Sequence, residues 1–201
     1  MIKKLQALRA KKGFTLVELV VVIAIIGVLA AILIPTMIGV VQDANITSAN
    51  STASQIKTQA TTWLTKMDSA KKGLKQGESL ATLTATVSGG VWTVTPPDGL
   101  SFQTGSGTNA AWTGDDKTFN FSAFMGDALR DLKNATVSIA LKNAAVVGVL
   151  VVDGDANASL TDLDDDDITN GTYNFTGSKA GLMDDGTIIG SAPQLQKEAN
   201  T

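Results

Sequence analysis

From Leu19 to Val41 the sequence runs for 23 residues without one ionisable side chain, and Lys3, Lys4, Arg9, Lys11 and Lys12 precede it with no acidic residue among them. Crossing roughly 30 Å of hydrocarbon takes about 20 consecutive apolar residues, so this run has the length of a membrane-spanning helix. A basic leader before an apolar run fixes orientation: the leader stays cytoplasmic and the downstream chain is exported. The chain from Phe14 onward is acidic, with 11 basic and 19 acidic residues. An ordinary secretory signal has an apolar core of about 7–15 residues and a small-residue cleavage site after it. Here the run is longer, and the small residue, Gly13, comes first.

The remaining composition narrows the function. Neither cysteine nor histidine occurs in the 201 residues. Disulfides, thiolate nucleophiles, Ser-His-Asp arrangements and the usual zinc ligands are therefore excluded. A net charge of −3 and a pI near 4.9 argue against nucleic acid, which requires a basic face. A glycosidase would need two carboxylates at a set separation across a cleft. The acidic residues instead crowd one loop, and we expect no enzyme.

Glu18 lies at the start of the apolar helix, where a carboxylate costs about 2.5–3.5 kcal/mol on insertion scales unless it has a partner or sits at the interface. Its neighbours, Lys12-Gly13-Phe14-Thr15-Leu16-Val17-Glu18-Leu19-Val20, resemble the processing site of type IV prepilins, and the match extends through Ile23, Gly27 and Pro35. The resemblance implies cleavage between Gly13 and Phe14 by a prepilin peptidase, N-methylation of Phe14, and a mature chain of 188 residues. It further implies a single-pass precursor in the cytoplasmic membrane, drawn by the pilus assembly machinery into an extracellular helical filament on the cell surface. In that filament Glu18 would pair with the Phe14 amine of its own or a neighbouring chain, which offsets desolvation and marks register. The resemblance also extends partial unwinding to the segment from Gly27 to Pro35; a simple proline kink is the alternative. The missing cysteines disfavour a disulfide-closed head and suggest a Gram-positive-like pilin.

The chain thus divides into a leader at 1–13, a transmembrane and filament-core helix at 14–42, and a head at 43–201. The head opens with an amphipathic helix over 43–72, whose stripe of Ile46, Ala49, Ala53, Ile56, Ala60, Trp63 and Met67 recurs in steps of three and four. A helix from Phe14 to about Ala70 would measure roughly 85 Å, too long for a head this size to bury. Gly73 and Gly77 look like its terminator. Beyond them, Leu83 to Val87 and Val91 to Thr95 alternate about Gly89-Gly90, and Pro96-Pro97-Asp98-Gly99 is a turn. Leu100 to Asp116 reads as a surface loop, with a short helix from Phe119 to Leu132. A hairpin of 136–141 and 144–152 turns at Lys142-Asn143, and a last strand pair runs over 172–176 and 187–189. The expected class is α+β: a long protruding N-terminal helix packed by its C-terminal half on an antiparallel sheet, the pilin fold.

Two features of the head could carry chemistry. Asp153, Asp155, Asn157, Ser159 and Asp164 place oxygen ligands at spacings that partly match a twelve-residue calcium loop, although Ala158 replaces its glycine, Asp164 replaces its glutamate, and no flanking helix is expected. The alternative is a solvated acidic turn, and calcium is the only cofactor in question. Of Trp92, Trp112 and Tyr173, the first alternates with Val94 and belongs to the sheet core, whereas Trp112 lies in a polar loop and could stack on a polysaccharide such as cellulose. The expected function is a structural pilus subunit serving adhesion or motility; the alternative is a pseudopilin of a type II-like secretion system.

Overall fold

A computed structural model describes residues 14–75, 79–95, 100–103, 109–111, 121–154, 160 and 163–199. The chain divides into two compact units, Met1–Asp43 and Ala44–Thr201. One helix, α1 (Leu16–Ser69, 54 residues), belongs to both.

In the first unit the described residues from Leu16 onward are helical, and Pro35 does not break the helix. Thr36 donates its hydroxyl to the Leu33 carbonyl at 2.9 Å, so a side chain supplies hydrogen bonding where the proline ring removes a backbone donor. The subunit thus shows no unwinding between Gly27 and Pro35.

In the second unit α1 buries Ile46, Ala49, Ala53, Ile56, Ala60, Trp63, Leu64 and Met67, the stripe expected from the spacing with Leu64 added. Its end differs from expectation. Lys71, not a glycine, takes the left-handed conformation (φ 59°) while Lys72 N donates to Met67 O and Lys71 N to Asp68 O, a Schellman ending.

The central sheet is built from β2 (Ala81–Ser88), β3 (Val91–Thr95), β6 (Ala135–Lys142), β7 (Ala145–Asp153) and β9 (Gly190–Ala192). Their order is β3-β2-β6-β7-β9, and every neighbouring pair is antiparallel. Period-two alternation assigns its faces. Leu83, Ala85, Val87, Val137, Ile139, Val149 and Val151 join the α1 stripe in the larger apolar cluster. Ala140, Leu150 and Val152 face the other way, into a second cluster with Leu163, Tyr173, Phe175, Ile189 and Leu195. Central β7 is apolar on both faces because both are covered.

The β6–β7 hairpin turns one residue later than expected, at Asn143 (φ 52°) and Ala144 (φ 61°). A bulge sits beside it: Ala140 opposes Gly148 and Leu141 opposes Val146, leaving Val147 without a strand partner. The Val147 carbonyl instead accepts from Lys57 Nζ of α1 at 3.0 Å. Burial holds that amine below the usual lysine range.

Two other sequence expectations change. The 100–116 segment is not all surface loop: β4 (Ser101–Gln103) lies between β1 (Leu74–Lys75) and β5 (Asn109–Ala111) in a small sheet. Phe102 is fully buried, with its ring edge-on to Trp63 at 5.5 Å, so a single aromatic draws the polar segment inward. The last strands do not pair as 172–176 with 187–189. Thr172–Tyr173 (β8) runs parallel to Gln196–Lys197 (β10), and the chain after 189 becomes β9 on the edge of the main sheet. Gly190 makes this possible, because a Cβ there would collide with the backbone of Ala49 and Asn50. Asn50 Oδ1 accepts from Ser191 N at 2.8 Å. A helix α2 (Phe121–Ala128) packs on β3, and α3 (Asp165–Asn170) comes after the acidic loop.

Candidate functional site

The N-terminal site is built on the first turn of α1. Thr15 precedes the helix, and its Oγ1 accepts from Glu18 N at 3.2 Å. Glu18 Oε2 returns the bond to Thr15 N at 2.9 Å and also accepts from the Thr15 hydroxyl at 2.7 Å. This is a capping box, two orphan donors satisfied reciprocally at a helix start. Its signal, threonine with glutamate three residues on, stands in the sequence, where only the Phe14 amine was expected as a partner for Glu18. Glu18 therefore has a partner inside its own chain. Both bonds fall on Oε2, and a carboxylate offers about four lone-pair sites, so Oε1 is left to accept from a further donor.

Around this cap the surface is apolar and uncovered. Phe14 is 86% exposed, and every large apolar side chain from Leu16 to Val41 is exposed. By length and composition α1 is the one helix among the described residues able to cross a membrane, and no residue of its most apolar stretch is buried. A Cβ added at Gly27 would meet nothing within 4 Å, so packing within the subunit does not require that glycine. Gly13 lies outside the described residues.

The acidic loop is different. Asp155, Asn157 and Ser159 lie outside the described residues, as does Trp112. Asp153 ends β7, exposed. Asp164 caps α3: its Oδ1 accepts from Asp167 N at 2.8 Å, and Asp167 Oδ2 accepts from Asp164 N at 3.0 Å. A helix thus comes after the loop, contrary to expectation, and Asp164 would have to leave its cap to bind a cation. Asp167 is 8% exposed, and burial together with the nearby Asp164 and Glu198 raises its pKa above the ordinary carboxyl value, against the opposing backbone bond from Asp164. Among the described residues no group of three or more Asp or Glu is placed to hold a metal. Trp92 and Tyr173 are both buried, as core residues.

Similarity to known proteins divides along the same line. Residues 8–34 match the prokaryotic N-terminal methylation motif. A fimbrial protein of Pseudomonas aeruginosa is 49% identical over 53 residues, 26% of this chain and 34% of that protein. A fimbrial protein of Moraxella nonliquefaciens is 46% identical over 55 residues, 27% of this chain and 36% of the relative. A type IV narrow pilus major component of Thermus thermophilus is 44% identical over 46 residues, 23% and 40% of the two chains. The match thus spans about a third of the length of these curated relatives. None of it supports the Gram-positive-like pattern expected from the missing cysteines. No solved structure matches the chain. The N-terminal region is that of a type IV pilin, and the model for a domain of unknown function (DUF5021) matches residues 46–196, three quarters of the chain; the protein belongs to that family.

Proposed function

We propose that this protein is the structural subunit of a type IV pilus, cleaved after Gly13, N-methylated at Phe14 and assembled into a surface filament. One observation supports this reading above the others: a helical stretch whose large apolar side chains are all exposed, headed by a capped glutamate within a methylation motif. Apolar surface of that extent needs a dry environment, which lipid supplies before assembly and neighbouring copies supply afterwards. Cleavage creates an amine at Phe14. Glu18 can keep both Thr15 bonds on Oε2 and take the amine of a neighbouring copy on Oε1, marking the register of each added subunit. The partners are a prepilin peptidase, the assembly machinery, the cytoplasmic membrane and further copies of the chain. The finished filament serves adhesion or motility, and the subunit itself performs no catalysis.

Mass spectrometry of sheared surface filaments tests this directly. The expected N-terminal peptide begins at Phe14 and carries one added methyl group. A chain that begins elsewhere, or that never leaves the membrane fraction, overturns the proposal. Long filaments in the sheared material distinguish a pilus from the short assembly of a pseudopilin.

A further inference from the structure

The head carries two threonine-rich surfaces that spend their hydroxyls in opposite ways. On α1, Thr52, Ser54, Thr58, Thr61, Thr62 and Thr65 each donate to the carbonyl four residues back, at 2.8–3.1 Å. On the sheet, the hydroxyls of Thr84, Thr86, Ser88, Thr93 and Thr95 make no hydrogen bond to another described residue. The helix threonines are satisfied locally, and the sheet threonines hold both donor and acceptor capacity open to the solvent.

The register arranges these open hydroxyls as a lattice. Thr84 stands between Thr95 and Ser138, Thr86 between Thr93 and Thr136, and Ser88 opposite Val91. All lie on one face, since the intervening Leu83, Ala85, Val87 and Trp92 point into the core. Rows are about 4.8 Å apart across strands and roughly 6.7 Å apart along them. The same face is covered over β6 and β7, where Ala140, Leu150 and Val152 lie beneath the C-terminal layer. Cover ends where apolar residues give way to threonine. Thr86, Ser88, Thr93 and Thr95 are exposed, with Val91 67% exposed at the corner. None of the lattice residues can ionise, although the whole chain carries a net charge of −3.

We propose that this bare half-sheet binds the surface of an insoluble, uncharged polysaccharide. Charge selects the partner: a face without ions can desolvate only against a neutral ligand without stranding a charge. The open hydroxyls need a partner dense in donors and acceptors, and their two-dimensional repeat suits an ordered array rather than a single sugar. Each hydroxyl bond is weak on its own, so affinity comes from many made at once. The aromatic at this position, Trp92, is buried on the opposite side, so ring stacking plays no part. The proposal rests on the adhesion role of the pilus, deepens it, and moves the contact from Trp112 to the sheet.

The full chain, kept in detergent so that filament assembly is irrelevant, is mixed with microcrystalline cellulose and separately with soluble cello-oligosaccharide. Retention on the solid with little binding of the soluble sugar is the expected result. Thr86→Val with Thr93→Val removes two hydroxyls yet keeps β-branched shape, and retention should fall roughly tenfold or more. Thr58→Val with Thr62→Val on the helix should leave it unchanged. Circular dichroism checks that all variants remain folded. A wild-type chain that is not retained, a sheet variant retained as well as wild type, or a sheet variant that changes only self-association in ultracentrifugation overturns the proposal. Any of these leaves the filament role intact, because that role is judged on sheared pili.

Discussion

Residues 16–41 and 46–67 of α1 share one continuous helix, yet the large apolar side chains of the first stretch are all exposed while the second hides a stripe of eight residues. The second stretch is explained within the subunit: alternating steps of three and four match one face to the odd-numbered residues of β6 and β7. The first has no such internal account. Gly27 has open space about it, and Ile23, Ile26 and Leu33 touch no core. Substitutions in the second stretch should therefore act on stability, and those in the first on membrane insertion and assembly.

The sharpest test of that separation is Gly190→Val. The added side chain meets the Ala49 carbonyl, so we expect loss of the folded head, or a destabilisation of about 3 kcal/mol or more, in thermal unfolding followed by circular dichroism. Ile56→Ala, at a fully buried site, should cost about 2–5 kcal/mol in denaturant unfolding, whereas Ile32→Ala should fall within roughly 0.5 kcal/mol of wild type. Equal costs at the two isoleucines would break the comparison.

At the head of the first stretch, Thr15→Ala removes half of the capping box and should weaken the first helical turn by about 1 kcal/mol, read as faster amide exchange there. Glu18→Ala removes the same cap and the acceptor for an incoming amine together. Filament yield should fall far more in Glu18→Ala than in Thr15→Ala, with the melting temperature of the head unchanged in both. Equal yields would reduce Glu18 to a cap.

The smallest effect concerns pH. Asp167 has its pKa raised in the folded protein, so the folded state holds that proton more tightly than the unfolded chain does. This group opposes folding at neutral pH, and the opposition fades as pH falls through its folded value toward the ordinary carboxyl value of 3.8. Asp167→Asn keeps a side-chain acceptor for the Asp164 backbone and removes the titration. The pH profile of head stability should be flatter in this variant across mildly acid conditions.

Much of this architecture is legible in the sequence because it depends on local pattern. The uncharged run, the Gly13-Phe14-Glu18 spacing, seven of the eight buried α1 residues and the Gly89-Gly90 hairpin all come from neighbours a few positions apart. The features that escape sequence reasoning depend on contacts distant in the chain. Phe102 enters the core because Trp63 waits there, 39 positions earlier. β9 forms where Gly190 can touch Ala49, and β10 lies parallel to β8 only once the intervening chain has turned. Single-residue shifts, such as the turn at Asn143-Ala144, come from a bulge whose spare carbonyl a lysine on another element satisfies. The capping box at Thr15 and Glu18 is local and readable; attention to a remote partner for Glu18 hides the near one.

The tie between α1 and β9 has a mechanical consequence. Tension along α1 reaches the sheet near Ala49 and Asn50, where helix backbone rests on Gly190 and an amide side chain grips Ser191. β9 is held to β7 by antiparallel pairing from Val149 to Val151. A load that enters through the final strand is therefore carried straight into the middle of the sheet, and the threonine half on its far side stays unstressed and free to grip whatever lies outside.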